Sequence, residues 1–202
     1  GKSRSPIAIG RNNQATCKII PVGRNTLKRC DSSLAAGVIE ASAGSELIIG
    51  GCGTLNLQGM SGTETRSLEA YAGGIRAINA EVIIDDNPTL IISNPEGDAF
   101  SGILSEKITI NGGNINSSVS GGSQGIGIPL DSNSIHDVII KGGTVYAEGG
   151  KTAAWLGAIT NPMCTRTVIT GGSVNMNKLS KTASTRFDGM INNQPVNNKG
   201  EK

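Results

Sequence analysis

The chain has 202 residues, of which 37% are hydrophobic and 2% aromatic, with 29 glycines and a formal net charge of +2. A core so poor in aromatic bulk has to be built from many small aliphatic side chains in layers, and abundant glycine without a collagen period belongs to short strands and tight turns. No apolar run reaches membrane-spanning length, so no membrane insertion is expected, and strict alternation of the apolar residues argues against a wholly disordered chain.

The first thirty residues hold Lys2, Arg4, Arg11, Lys18, Arg24, Lys28 and Arg29 without one acid, which leaves the rest of the chain at −5. A basic end can be a footprint for nucleic acid. No aromatic residues are interleaved with these cations, so a solvated cap is the expectation and a nucleic-acid partner is not. Cys17 and Cys30 flank Lys18 to Val22, a Gly23-Arg24-Asn25 turn and Thr26 to Arg29. Residues 1–34 therefore read as a basic N-terminal cap or hairpin, joined by a disulfide if the protein is exported. Four free thiols are the alternative. Cys52 and Cys164 fall in predicted turns, and no pair has the C-x-x-C spacing of zinc or redox sites. No signal peptide is visible, and the polar ends, with no initiating methionine, are expected to be cuts from something longer.

From residue 35 onward a phrase recurs. Leu47 to Leu55 (LIIGGCGTL) returns as Val82 to Leu90 (VIIDDNPTL), Ile108 to Ile115 (ITINGGNI), Val138 to Val145 (VIIKGGTV) and Thr167 to Val174 (TVITGGSV), at intervals of about 25 to 35 residues. Within each copy the apolar residues alternate, the strand period. The first strand offers pairs such as Ile108 and Ile110, and the strand after the turn offers Leu90 and Ile92 or Val145. A third short apolar element follows: Gly74-Ile75-Arg76-Ala77, Gly102-Ile103-Leu104, Gly127-Ile128, Gly157-Ala158-Ile159 and Met190-Ile191, with Gly37-Val38-Ile39 as the same element of an earlier coil. Three short strands joined by turns make one rung of an all-β parallel β-helix, a solenoid. Five to six rungs over 35–192 would form a column on the order of 25 Å tall, with 193–202 a disordered C-terminal tail. Glycine pairs suit its corners, where positive φ or close backbone approach is needed. Ser61 to Tyr71 is the nearest approach to a helical pattern, and the competing fold is an antiparallel β-sandwich.

The order apolar-x-Ile-x-Gly-x-Gly-Thr-Leu, Gly-Ile, Ile-Thr-Ile-x-Gly-Gly-x-Ile, Gly-Ile is carried by Ile49 to Leu55, Gly74-Ile75, Ile108 to Ile115, Gly127-Ile128, Ile140 to Val145 and Gly157-Ala158-Ile159. It resembles bacterial right-handed parallel β-helix surface proteins, many of them labelled carbohydrate-binding domain proteins or adhesins. The likeness covers roughly 35 to 192 and implies a right-handed coil, an extracellular or cell-surface location and a glycan or polysaccharide partner. It brings no catalytic set to carry over.

Candidate sites were weighed against their structural roles. Asp85-Asp86 stand where sister copies carry Gly-Gly and read as turn formers rather than a catalytic carboxylate pair. Glu96, Asp98, Glu106, Asp131, Asp137 and Glu148 are scattered, and only stacking could align some of them on one face. Lys141 and Arg166, near equivalent corners, and Arg76 are the candidates for a lyase base, while His136 precedes a strand in the manner of a turn residue. The glycine strings open no helix and so form no phosphate loop. Tyr146 and Trp155, with Glu148 between them, are the tentative ligand-binding set: aromatic faces beside a polar group suit a sugar. No catalytic residue, metal ligand or cofactor is assigned. The expectation is a non-enzymatic extracellular module that binds glycan or acts in adhesion; a polysaccharide lyase or glycoside hydrolase on the same coil is the alternative, and a structural spacer the third.

Overall fold

The structure, a computed structural model, describes residues 5–10, 13–29, 36–59, 72–94, 100–119, 125–127, 136–148, 155–156, 165–176, 178–179, 186–187, 189–191 and 194–196. All regular structure among them is β. In chain order the strands are β1 (Ile7–Ile9), β2 (Thr16–Ile19), β3 (Arg24–Lys28), β4 (Gly37–Ala41), β5 (Glu46–Ile49), β6 (Thr54–Gln58), β7 (Ala72–Ile84), β8 (Thr89–Ser93), β9 (Phe100–Ile110) and β10 (Asn114–Ser118). They continue as β11 (Ile126–Gly127), β12 (His136–Ile140), β13 (Thr144–Glu148), β14 (Trp155–Leu156), β15 (Thr165–Ile169), β16 (Ser173–Met176), β17 (Lys178–Leu179), β18 (Arg186–Phe187), β19 (Gly189–Ile191) and β20 (Gln194–Val196).

These strands form two sheets. The eight-stranded sheet runs β3-β6-β8-β10-β13-β16-β19, parallel throughout, and ends on β20, which is antiparallel to β19. The twelve-stranded sheet has a main path β1-β4-β7-β9-β11-β14-β17; β2, β5, β12, β15 and β18 extend a second ladder that meets the first in the long strands β7 and β9. Parallel neighbours cannot be joined by a tight hairpin and need a crossover of a dozen or more residues. The repeat interval supplies it. The chain is all-β with parallel strands in two sheets, consistent with a parallel β-solenoid.

Register explains the core. Because side chains alternate, in-register parallel pairing lays each repeat's apolar positions directly over those of the last. Ile49, Ile84, Ile110, Ile140 and Ile169 form one such row, and Leu47, Val82, Ile108 and Val138 another, all without solvent exposure. Leu55, Leu90, Ile115, Val145 and Val174 make the matching row of the eight-stranded sheet. Each fully buried aliphatic side chain contributes about 1.5–3 kcal/mol. On the main path of the larger sheet the consecutive residues Gly37–Ile39 and Gly102–Ser105 are all buried, so both faces are covered there.

At the corner between the sheets each copy has a residue of positive φ: Gly51 and Asp86, second in four-residue turns, at 81° and 58°, and Gly113, Gly143 and Gly172, last in three-residue turns, at 89°, 83° and 79°. The positive φ expected of the glycine pairs is thus present in every copy, including the one that carries aspartate.

Several details differ from the sequence reading. β2 and β3 do not pair with one another as a hairpin; each adds in parallel to β5 and β6, so the basic stretch lies at one end of the ladders. Cys17 is a free thiol packed against the core, Cys52 is free and exposed, and Cys30 and Cys164 lie outside the described residues. Arg29 is no solvated cation: it is 2% exposed, and its Nη1 donates to Ala36 O at 2.8 Å. Met190-Ile191, read as a third element, instead extend the eight-stranded sheet with Ile191 over Val174, while Lys178–Leu179 pairs with β14 in the other sheet. β20 falls inside the stretch read as a tail. Ser61 to Tyr71 and Gly157-Ala158-Ile159 lie outside the described residues.

Candidate functional site

Two surfaces gather chemistry. The first is the outer face of the eight-stranded sheet, made by the residues that alternate with the buried row. In-register pairing lines up Thr54, Thr89, Asn114, Thr144 and Ser173 in one row, and Asn56, Ile91, Asn116 and Tyr146 in the next. No charged residue stands in either run as far as β6; in β3 the first continues to exposed Arg24, in register with Thr54. Tyr146 is 38% exposed, one of the few large apolar groups at the surface. Glu148 follows two residues later in β13, in register with Ser118. Trp155 belongs to β14 in the other sheet, in register with Lys178, so the backbone does not bring it beside Tyr146 in one sheet. The side chains of Glu148 and Trp155 lie outside the description.

The second surface is a groove of about 530 Å³ where β7 and β9 bend, lined by Glu46, Asn79, Glu81, Glu106, Lys107 and Asp137 among others. The bend comes from a register shift: Ala77 pairs with Ser105 and Glu81 with Lys107, so β7 places three residues where β9 places only Glu106. Buried Ser105 ties the bend: its Oγ lies 2.8 Å from Ala80 O and 2.9 Å from Lys107 O, either of which can take its one hydrogen, and accepts from Lys107 N at 3.3 Å. Asn79, in the bulge, holds a left-handed φ of 56°. With its amide nitrogen turned toward Glu106 it lies 2.6 Å from Oε1 and 3.2 Å from Oε2. Burial raises the pKa of the Glu106 carboxyl above its ordinary value. Beside it runs the ladder Glu46, Glu81, Lys107, Asp137. Lys107 Nζ sits 2.8 Å from Glu81 Oε2. Stacking therefore does bring Glu106 and Asp137 together, with Glu46 and Glu81, which the sequence search had not singled out.

The remaining candidates are dispersed. Asp86 Oδ2 accepts a hydrogen bond from Gly51 N at 2.9 Å and lies 3.9 Å from Lys18 Nζ, and Asp85 Oδ1 accepts from Asn111 Nδ2 at 3.3 Å. Both are turn residues, as expected. Arg76 is ion-paired to Glu40 at 2.8 Å. Arg166 and Lys141 are not at equivalent corners: Arg166 stands in register with Asp137, while Lys141 follows the end of β12. No basic cluster results. His136 opens β12, and its side chain, like Glu96, Asp98 and Asp131, lies outside the description. Among the described residues, no group of three or more His, Cys, Asp or Glu is arranged to hold a metal ion, and no helix is long and apolar enough to cross a membrane.

Comparison with known proteins gives no match: no family model, curated protein or solved structure matches this chain.

Proposed function

We propose that this chain is a non-enzymatic extracellular or cell-surface module that binds glycan, of the kind found among bacterial β-helix adhesins. The observation that carries the reading is an outer sheet face whose rows from β6 to β13 present mainly hydroxyl and amide side chains, with Tyr146 exposed among them. Hydroxyl and amide groups exchange hydrogen bonds with sugar hydroxyls, and an aromatic ring covers the apolar face of a pyranose. We also propose the finer architecture that serves this face: a right-handed parallel β-helix of three short strands per winding. The repeat marks five to six of these windings, and β1 to β3 stack as an earlier one. On a glycan array the protein is expected to give discrete positives that disappear in Tyr146→Ala; Trp155→Ala, tested alongside, measures whether the second aromatic belongs to the same site. An array without any positive removes the sugar from the proposal.

A polysaccharide lyase or glycoside hydrolase is the second reading, favoured by the groove at the bend. A carboxyl whose pKa is raised above that of its neighbours is the usual basis for dividing acid and base roles. Under the leading reading, incubation with acidic and neutral polysaccharides, with and without calcium, releases no new reducing ends or unsaturated products. Product formation that stops in Glu106→Gln would instead establish the enzyme. The same variant reports on the carboxyl itself. A raised folded-state pKa means that ionisation disfavours the fold, so stability is lost as pH rises through that pKa. Glu106→Gln is expected to melt above the wild type at pH 7, with the gain vanishing below the ordinary value of about 4.5. Thermal melts across that range check it.

A further inference from the structure

The row Asn56, Ile91, Asn116, Tyr146 alternates between amide and apolar side chains from one strand to the next. Adjacent strands lie about 4.8 Å apart, so the two apolar platforms, Ile91 and Tyr146, recur at about 9.6 Å along the column. Asn116 stands between them, and the neighbouring row presents Thr89, Asn114 and Thr144 in the same register. From this we infer that the face is a track for a single neutral, extended polysaccharide chain. The chain lies across the strands, parallel to the column axis, with a two-sugar repeat matched to the spacing of the platforms. The inference rests on the glycan-binding reading and adds the ligand's charge, shape and direction.

Three observations support it. Charge is absent from these two rows between β6 and β13, with Arg24 and Lys28 only at the β3 end, whereas the outer row of the other sheet carries Glu46, Glu81, Lys107 and Asp137. An acidic glycan gains no ion pair along the uncharged stretch and loses hydration there, so neutral hydroxyl-rich chains are favoured. The functional groups line up across the strands, while along any one strand only two or three positions face outward, which sets the direction. Finally, Asn56 Oδ1 is buried and accepts no hydrogen bond within the protein. Turning that amide outward relieves the buried, unpaired oxygen by giving it a ligand hydroxyl to accept from.

Affinity gel electrophoresis tests this with the whole chain, using barley β-glucan and galactomannan as neutral probes and polygalacturonate as the acidic one. Circular dichroism and thermal melts confirm that each variant is folded. The neutral probes are expected to retard the protein. Retardation should weaken about ten-fold in Tyr146→Ala, the upper range for one aromatic contact, and fall further in Ile91→Asp. A hexasaccharide from the retarding polymer should compete better than its disaccharide. Retardation by polygalacturonate alone, or by any probe equally in wild type and Tyr146→Ala, overturns the track but leaves glycan binding standing. No retardation by any carbohydrate overturns both. A dimer in sedimentation that Tyr146→Ala dissociates would assign the face to a second copy of the chain and overturn the track as well.

Discussion

Aspartate at Ile110 or at Ile140 is expected to abolish the cooperative fold or lower its melting temperature by well over 10 °C. Ile110 lies in register between Ile84 and Ile140, and Ile140 between Ile110 and Ile169, with no exposure at any of them. The substitution removes about 1.5–3 kcal/mol of aliphatic burial and leaves a buried carboxylate with no partner, which costs about 3–5 kcal/mol more. Against a domain stability of about 5–15 kcal/mol, either loss is a large share, and each kcal/mol shifts the melting temperature of a chain this size by about 2–4 °C. In a stacked array each layer holds both of its neighbours, so damage in the middle weakens two interfaces together. Asn116→Asp is the control: it adds the same charge on the outer face, and its effect should stay within about 0.5 kcal/mol. Urea and thermal melts followed by circular dichroism give both values. Unchanged melting in both isoleucine variants would contradict the inward rows.

The rows were legible because they need only alternation and a repeat. Ile110 and Ile140 could be placed inside the column before any coordinate, since a strand's inward set is every second residue and parallel stacking keeps the phase. The corners were legible for a related reason: each copy sets its turn between the same two apolar strands, so a turn at Gly143 implies one at Asp86, although the turn at Asp86 is one residue longer. Tyr146 was readable as outward because it follows inward Val145. The groove was not. Glu46, Glu81, Glu106 and Asp137 come from four separate strand segments and meet only through register, and nothing local to Glu106 announces a bend at which the neighbouring strand is two residues longer. Arg29 shows the limit of composition. A run of basic residues reads as a solvated surface, yet one of its members closes against Ala36 O inside the protein. Met190-Ile191 differs because its short apolar phrase resembles the third elements; only the pairing of Ile191 with Val174 assigns it to the other sheet.

Gly143→Val is expected to destabilise the protein by about 2–5 kcal/mol, the sum of an L side chain in the left-handed region and of overpacking against a fixed neighbour. The φ of 83° at Gly143 disfavours any side chain, and a β-branched one most of all. Space is the second obstacle. A Cβ there would lie 2.5 Å from Gly113 O and 2.8 Å from Gly112 C, both backbone atoms of the layer beneath. That layer cannot withdraw, because Thr144 N donates to Gly113 O at 2.8 Å and holds the two corners together. Relief would have to come from opening the stack, so the loss should appear as a lower melting temperature with the secondary structure retained at low temperature. Asp86→Gly is the converse. It removes a side chain from a left-handed φ in the longer turn, gaining less than Gly143→Val loses in backbone strain, and gives up the bond from Gly51 N to Asp86 Oδ2. Asp and Asn tolerate this region better than other residues, and an exposed hydrogen bond is worth about 1 kcal/mol, so the two changes should nearly cancel. Measured side by side, a large loss at Gly143 and almost none at Asp86 would demonstrate that the corner selects for backbone conformation and close stacking. Equal losses at both would mean that the Asp86 side chain holds its corner through contacts the glycine corners do without.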